Sequence, residues 1–409
     1  MNVLSLFDGK SSGYTAMELA GLPVTNYYSS EIDKYAIQVS NSIHPNQTRL
    51  GSITEWKGWG IDWSSIDLLI AGSPCQGFSA AGKKGGTKCI FDGEEIIVSD
   101  RETYLDMKTK GAEFLSQSHL FWEFILILDH IKSLNPDLKF MLENVKMSKS
   151  NMDLITNAIG VEPVFINSAL LTAQNRQRYY WCNWSVPQPE DKGILLKDII
   201  ETNPDNTVFM SDKFINRNRE SGCLRDNFDG KAKSLSAMKY VKNGRQGDYI
   251  YQKGRGNNPG GIRAINGKTP SLTSNAWEHN NHLISAKNKN PEISGDYLQF
   301  DPSGKGHKSQ CNRVNLPESK HKSLSGTSGG NKHGVVVDKS EYTYRKLTPR
   351  ECFRLQGTPE YYIDKILSCG VSNTQLYKVA GNGWTDPVIA HIFSHMDNEI
   401  GEVQLQLAI

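Results

Sequence analysis

The chain has few of the features that would place a 409-residue protein at once. No apolar run approaches membrane-spanning length, and no basic-then-apolar segment leads it, so a soluble, unexported, cytoplasmic protein is expected. Its seven cysteines are odd in number and contain no Cys-x-x-Cys pair. That argues against a disulfide framework and against a zinc site, and no metal is expected. Charge of one sign is also missing, since the formal net charge is only +2. The near-neutral sum hides a division: residues 231–340 carry 18 Lys and Arg against 7 Asp and Glu, a local balance of +11 that leaves −9 for the rest. The same stretch holds Tyr240, Tyr249, Tyr251 and Trp277 with little apolar periodicity, the composition of a surface that meets a polyanion.

What is present begins with strands. Residues 2–6 read as a first strand leading into a loop at 7–13 and a helix from about Tyr14 to Ala20. Thr25 to Ser30 reads as a second strand ending at Glu31, followed by a helix from Asp33 to about Ile43. The uninterrupted apolar run at 67–72 suits a buried parallel strand. Leu120, Phe121, Phe124, Ile125, Leu128 and Ile131 recur at helical spacing within 118–134, a core stripe that packs on the sheet. Between Gly77 and Gln117 periodicity is weak, with Gly82-Lys83-Lys84-Gly85-Gly86 at its start; the stretch reads as a mobile catalytic loop. From about Asn183 the composition turns to Asn, Gly, Lys and Ser with short apolar alternations. Lys233-Ser234-Leu235-Ser236, Thr269-Pro270-Ser271-Leu272-Thr273 and Lys322-Ser323-Leu324-Ser325 resemble one another. Each leads on to a short apolar run, at Tyr249-Ile250, His282-Leu283-Ile284 and Gly334-Val335-Val336-Val337, as a hairpin used three times or as chance.

Three strand ends carry chemistry. Ser73-Pro74-Cys75-Gln76 follows the run at 67–72, Glu143-Asn144-Val145 closes Lys139-Phe140-Met141-Leu142, and Gln174-Asn175-Arg176-Gln177-Arg178 opens Tyr179-Tyr180-Trp181. Open α/β sheets keep their reactive groups at such ends. A thiol, a carboxyl and paired guanidiniums suit covalent attack on a planar, electron-poor ring: the thiolate adds, the carboxyl engages the ring edge and the guanidiniums stabilise the charge that builds.

In this order the segments resemble the cytosine-C5 DNA methyltransferase family over nearly the whole chain. The match includes Phe7-Asp8-Gly9 with Gly13, Pro74-Cys75-Gln76, Glu143-Asn144-Val145, Gln174-x-Arg176-x-Arg178, the segment Leu347-Thr348-Pro349-Arg350-Glu351-Cys352-Phe353-Arg354-Leu355-Gln356-Gly357, and Gly381-Asn382-Gly383-Trp384. The cofactor loop and last motif look closest to the animal de novo subgroup. The resemblance implies an α/β, Rossmann-like methyltransferase domain with a mostly parallel sheet, residues 1–184 and 342–409. A smaller β- and loop-rich DNA-recognition domain, 185–341, is inserted before the C-terminal segment. It implies S-adenosylmethionine, converted to S-adenosylhomocysteine, as methyl donor and double-stranded DNA as partner, with neither a membrane nor an obligate protein partner. Cys75, Glu143, Arg176 and Arg178 are the implied catalytic set. Phe7, Asp8, Gly9, Lys10, Ser12, Glu31, Ile32, Ser52, Ile53, Pro74, Leu120, Asn382 and Trp384 are implied at the cofactor, and Gln76 and Ser79 at DNA. Three positions depart from the family pattern: Ser52 stands where an acidic residue is common, Gly383 where a serine is usual, and Lys10 adds a cation to the cofactor loop. An RNA substrate, or a non-catalytic DNA-binding regulator on the same fold, are the competing readings.

Overall fold

The computed structural model describes residues 1–74, 87–195, 198–201 and 342–397, together with strand segments at 249–252, 261–264, 269–270, 282–286, 297–299 and 313–315. The chain divides into two compact units, Met1–Ile194 with Phe353–Ile409, and Leu195–Cys352.

The first unit is built on seven strands: β1 (Asn2–Leu6), β2 (Asn26–Ser30), β3 (Thr48–Arg49), β4 (Leu68–Gly72), β5 (Lys139–Val145), β6 (Pro163–Asn167) and β7 (Gln177–Cys182). They lie in the order β3-β2-β1-β4-β5-β7-β6. Every neighbouring pair is parallel except those made by β7, which runs against both β5 and β6. The central strands are apolar at consecutive positions because both faces are covered, and successive side chains go to opposite sides. Leu4, Leu69, Ala71, Phe140 and Leu142 join one core, with Phe121, Phe124 and Leu128 of a helix at Phe121–Leu134. Val3, Leu68, Ile70 and Met141 join the other, with Ala16, Met17, Val388, Ile389 and Phe393. Full burial of each Val, Leu, Ile, Met or Phe side chain among them stabilises by about 1.5–3 kcal/mol.

Among the described residues the helices are α1 (Ser12–Leu19), α2 (Lys34–Ile43), α3 (Arg101–Thr109), α4 (Phe121–Leu134), α5 (Lys149–Ile159), α6 (Pro349–Leu355), α7 (Glu360–Ser368), α8 (Asn373–Asn382) and α9 (Asp386–Phe393). Asp33 caps α2 by accepting from the Tyr35 and Ala36 amides. Asn135 and Pro136 end α4, where proline's missing N–H and its ring block a further turn. Gly13 lets α1 lie close to β4: a Cβ there would lie 2.3 Å from Ile70 Cδ1 and 2.7 Å from the Tyr27 hydroxyl, so those side chains would have to shift.

One expectation is corrected. Residues 87–115 are not a loop but a small folded element: strands Lys88–Phe91, Glu94–Ile97 and Glu113–Phe114 form an antiparallel sheet, with α3 between the second and third. Its hairpin turns on Asp92-Gly93, both with positive φ (51° and 81°), the conformation that fits a two-residue turn to the twist of its strands. Cys89, Val98, Tyr104 and Met107 join the core around α4. Glu123 of α4, fully buried, anchors the element by accepting from Tyr104 Oη (2.6 Å), Lys108 Nζ and Trp56 Nε1 (3.0 Å).

In the second unit, Gly261–Ala264, Tyr249–Gln252, His282–Ala286 and Tyr342–Lys346 form a four-stranded antiparallel sheet in that order, and Tyr297–Gln299 pairs with Arg313–Asn315. Because Tyr342–Lys346 is hydrogen-bonded to His282–Ala286, it belongs with the inserted unit. The chain returns to the first unit about ten residues later than the expected boundary at 342. Of the three similar segments, 233–236 and 322–325 lie outside the described residues, as do 334–337, Tyr240 and Trp277. Thr348 and Glu351 form a capping box at α6: Glu351 Oε2 accepts from the Thr348 amide (2.7 Å) and Thr348 Oγ1 from the Glu351 amide (3.2 Å).

Candidate active site

The carboxyl ends of β1, β2 and β4 open on one edge of the sheet, and the reversed β7 brings its first residues to that edge beside the end of β5. Arg178 is in register with Val145, and Tyr180 with Glu143. On the other side of β5, Gly72 is in register with Glu143. The reversal of one strand therefore places an early-strand arginine next to a late-strand glutamate. Arg178 Nε lies 2.8 Å from Glu143 Oε1. The N–H points off the line to the oxygen, so the contact is an ion pair rather than an aligned hydrogen bond. The other oxygen, Oε2, accepts from Trp384 Nε1 at 3.1 Å. Burial, with the Glu143 charge next in weight, pushes the Tyr180 phenol well above its ordinary range.

Cys75, Gln76 and Ser79 lie outside the described residues. The approach to Cys75 is described and is held at two points. Asn144 Nδ2 donates to Ser73 Oγ (3.0 Å), and Ser118 Oγ donates to the Pro74 carbonyl (3.0 Å). Asn144, next to the acid in sequence, thus points to the opposite face and ties β5 to the segment that leads to the thiol.

Arg176 is placed differently from Arg178. It is 4 % exposed, and its guanidinium donates to the carbonyls of Gly381 (3.3 Å) and Gly383 (3.0 Å). It ties the last motif to the strand that carries Arg178.

The loop after β1 is unusual in its backbone. Phe7, Gly9 and Ser11 all have positive φ (56°, 58° and 62°), a conformation costly for the two non-glycine residues and sustained here by side-chain bonds. The Asp8 carboxyl is buried and accepts from Ser11 Oγ and from Tyr27 Oη (2.8 Å), with Arg49 Nη1 3.5 Å away. Burial pushes the Asp8 carboxyl up, against the opposing pull of these donors. Asp8 therefore shapes the loop from within. Glu31 accepts from the Gly9 amide (2.8 Å) through Oε2, and through Oε1 from the amides of Ile32 (2.7 Å) and Asp33 (2.8 Å).

Lys10 turns inward. Its ammonium lies 2.7 Å from both oxygens of Asp386, at the start of α9, and both side chains are wholly buried. Thr358 Oγ1 also donates to Asp386 (2.8 Å). Two of the departures from the family pattern are neighbours: a Cβ on Gly383 would lie 3.3 Å from Lys10 Cε and 3.2 Å from the Val379 carbonyl, so a side chain at 383 would press on the lysine stem. Asp386 was not among the residues singled out in the sequence, because nothing local distinguishes a helix-start aspartate that caps its helix from one that meets a distant lysine.

The other residues expected at the cofactor fall as follows. Ser12 Oγ, at the start of α1, is buried and has no partner among the described residues. Ile32 is 71 % exposed, an unusual position for so apolar a side chain. Ser52 caps a short 3-10 turn by accepting from the Thr54 amide (3.3 Å), and Ile53 beside it is buried. Phe7 and Leu120 pack on the same core as Ile53. Asn382 is the exposed last residue of α8. An orphaned hydroxyl, an exposed isoleucine and a carboxylate at a strand end suit a nucleoside-like molecule with a polar tail.

The model of the C-5 cytosine-specific DNA methylases matches residues 1–95 and 107–398. The chain belongs to this family. The internal gap in the match, 96–106, falls in the hairpin-and-helix element that Glu123 anchors. Among curated proteins, the orphan methyltransferase M.SPRI of Bacillus phage SPR is 26% identical over 97% of both chains. A putative type II methyltransferase of Bacillus subtilis, M.BsuMIIP, is 27% identical, again over 97% of both. Among solved structures, the methyltransferase EhMeth of Entamoeba histolytica matches with a TM-score of 0.55 at 13% identity, covering 97% of each chain. A DNMT2 of Spodoptera frugiperda matches at 0.52 and 14%, covering 97% of this chain and 99% of that one. These likenesses establish the methyltransferase fold, and the family implies S-adenosylmethionine and DNA. No helix of the described residues is long and apolar enough to cross a membrane.

Proposed function

We propose that this methyltransferase transfers a methyl group from S-adenosylmethionine to C5 of cytosine in double-stranded DNA, through a transient bond between Cys75 and C6 of a base rotated out of the duplex. The observation that carries the reading is the Glu143 carboxyl, held at the sheet edge between Arg178 and Trp384 in register with Gly72, three residues before Cys75. C5 is a weak nucleophile inside a stacked base. Rotation out of the stack costs roughly a few kcal/mol, offset by contacts with phosphates and pocket. Addition of the Cys75 thiolate at C6 pushes electrons toward C5, while Glu143 engages N3 and the amino group and Arg178 offsets the charge that appears. The new C5–methyl bond forms as the donor leaves as S-adenosylhomocysteine. Loss of the C5 proton then expels the thiolate and restores the ring.

Ser12, Glu31, Ile32 and Ile53 with the loop after β1 would hold the methyl donor, whose sulfonium supplies an electrophilic methyl. Lys10 and Arg176 act by holding the framework together. The second unit, which contains the basic stretch 231–340, is assigned to DNA recognition on its charge of +11. Duplex carrying 5-fluorocytosine tests the chemistry, because fluorine at C5 cannot leave as a proton does. With S-adenosylmethionine present, the wild-type protein is expected to form a covalent adduct, and Cys75→Ser to form none while still binding the duplex. Turnover at the wild-type rate in Cys75→Ser would refute the nucleophile. Rapid methylation of structured RNA with none of duplex DNA would refute the substrate.

A further inference from the structure

Trp384, expected at the cofactor, donates its indole N–H to the acid. We infer that Trp384 is a positioning residue for Glu143, and that Gly72 lacks a side chain so that the indole can reach the carboxylate. The inference rests on the role proposed for Glu143. Glu143 and Gly72 are register partners on adjacent parallel strands, so anything that reaches the carboxyl from the β4 side passes over Gly72. The indole does so closely: a Cβ on Gly72 would lie 2.7 Å from Trp384 Nε1 and 3.1 Å from Cε2 and Cζ2. Alanine is therefore excluded unless the ring moves. The ring is itself nine-tenths buried and packs in the core shared by α1 and α9.

An indole N–H donates and never accepts. On Oε2 it fixes the carboxyl's rotation without competing as a base, while Arg178 holds Oε1 from β7. Held by Trp384 on one oxygen and by Arg178 on the other, the carboxylate is gripped from two sides before any substrate arrives. A planar base then meets a carboxyl whose orientation needs no search, the arrangement that favours the transition state over the ground state.

The decisive variants are Trp384→Phe, which removes the N–H and keeps a ring, and Gly72→Ala, which displaces the ring from below. A lost hydrogen bond to a charged group predicts that each lowers kcat about tenfold to a hundredfold, while KM for S-adenosylmethionine and affinity for duplex stay within about twofold. Calorimetric binding of S-adenosylmethionine shows that each variant is folded. In a Glu143→Gln background, measured by single turnover with enzyme in excess, Trp384→Phe should cost less than about twofold, since the carboxylate it orients is gone. Equal losses in both backgrounds would overturn the inference, as would a raised cofactor KM with kcat unchanged, or loss of cofactor binding in both variants. Full turnover by Glu143→Gln would instead remove the Glu143 assignment itself. A slow Glu143→Gln beside a wild-type kcat for Trp384→Phe removes only the role of Trp384.

Discussion

Replacing Lys10 by methionine isolates one charge in the interior. The variant keeps most of the stem that packs against Gly383 and removes only the ammonium, leaving the Asp386 carboxylate, wholly buried, with the Thr358 hydroxyl as its remaining donor. Breaking a buried pair from one side costs about 3–5 kcal/mol, because the surviving charge keeps its desolvation penalty without its counter-ion. Replacing both partners by apolar residues removes both penalties, so Lys10→Met combined with Asp386→Leu should return to within about 1 kcal/mol of wild type. Urea unfolding followed by tryptophan fluorescence measures both, with the transition of the Met1–Ile194 unit as readout. A second arm separates a structural lysine from a ligand. Under conditions where Lys10→Met remains folded, its affinity for S-adenosylmethionine should stay within about threefold of wild type, since the lysine's charge is taken up by Asp386. A loss of stability under about 1 kcal/mol, or a double variant less stable than the single one, would refute the reasoning about the buried pair.

Two further outcomes follow from buried groups. Burial, then the charges of Lys10, Lys365 and Arg49, push the His44 imidazole down to about 3, with Thr15 Oγ1 2.9 Å from its Nε2 and Glu18 at 3.9 Å. Above about pH 6.5 the ring is neutral in both states; as pH falls below that, the unfolded chain takes a proton the folded one refuses, so stability declines toward pH 3. Between pH 7 and 5 that loss is up to about 2 kcal/mol; His44→Gln should flatten it, and an unchanged slope in urea titrations would sink the assignment. Glu123→Gln weakens the grip on Tyr104, Lys108 and Trp56. Amide exchange across 87–115 should then rise at least about tenfold while the central strands keep their protection. An equal rise throughout would mean that the element and the sheet open as one.

Much of the first unit was legible because its signals are local. The run at 67–72 could only be a strand covered on both sides, the stripe through 121–131 only a core helix, and both are found there. The element at 87–115 escaped because its strands are short and apolar on both faces: Cys89 points inward while Ile90 and Ile97 stay exposed, which blurs the alternation. Asp92-Gly93 was the signal that would have found the hairpin, and Asp100, accepting from the Thr103 amide, marked the start of α3.

The amino-acid sequence by itself determined which residue types stand at the strand ends, since order along the chain and apolar runs are properties of the chain alone. It carried the thiol, the acid and the two arginines, and with them the family. Only the tertiary structure decided what each side chain meets: Arg178 on Glu143 but Arg176 on two backbone carbonyls, and Lys10 on Asp386, 376 residues away. The reason is physical. A buried charge takes whichever counter-charge or carbonyl the packed sheet and helices bring within about 3 Å, and that proximity depends on strand order and the reversal of β7, which spacing along the chain does not encode.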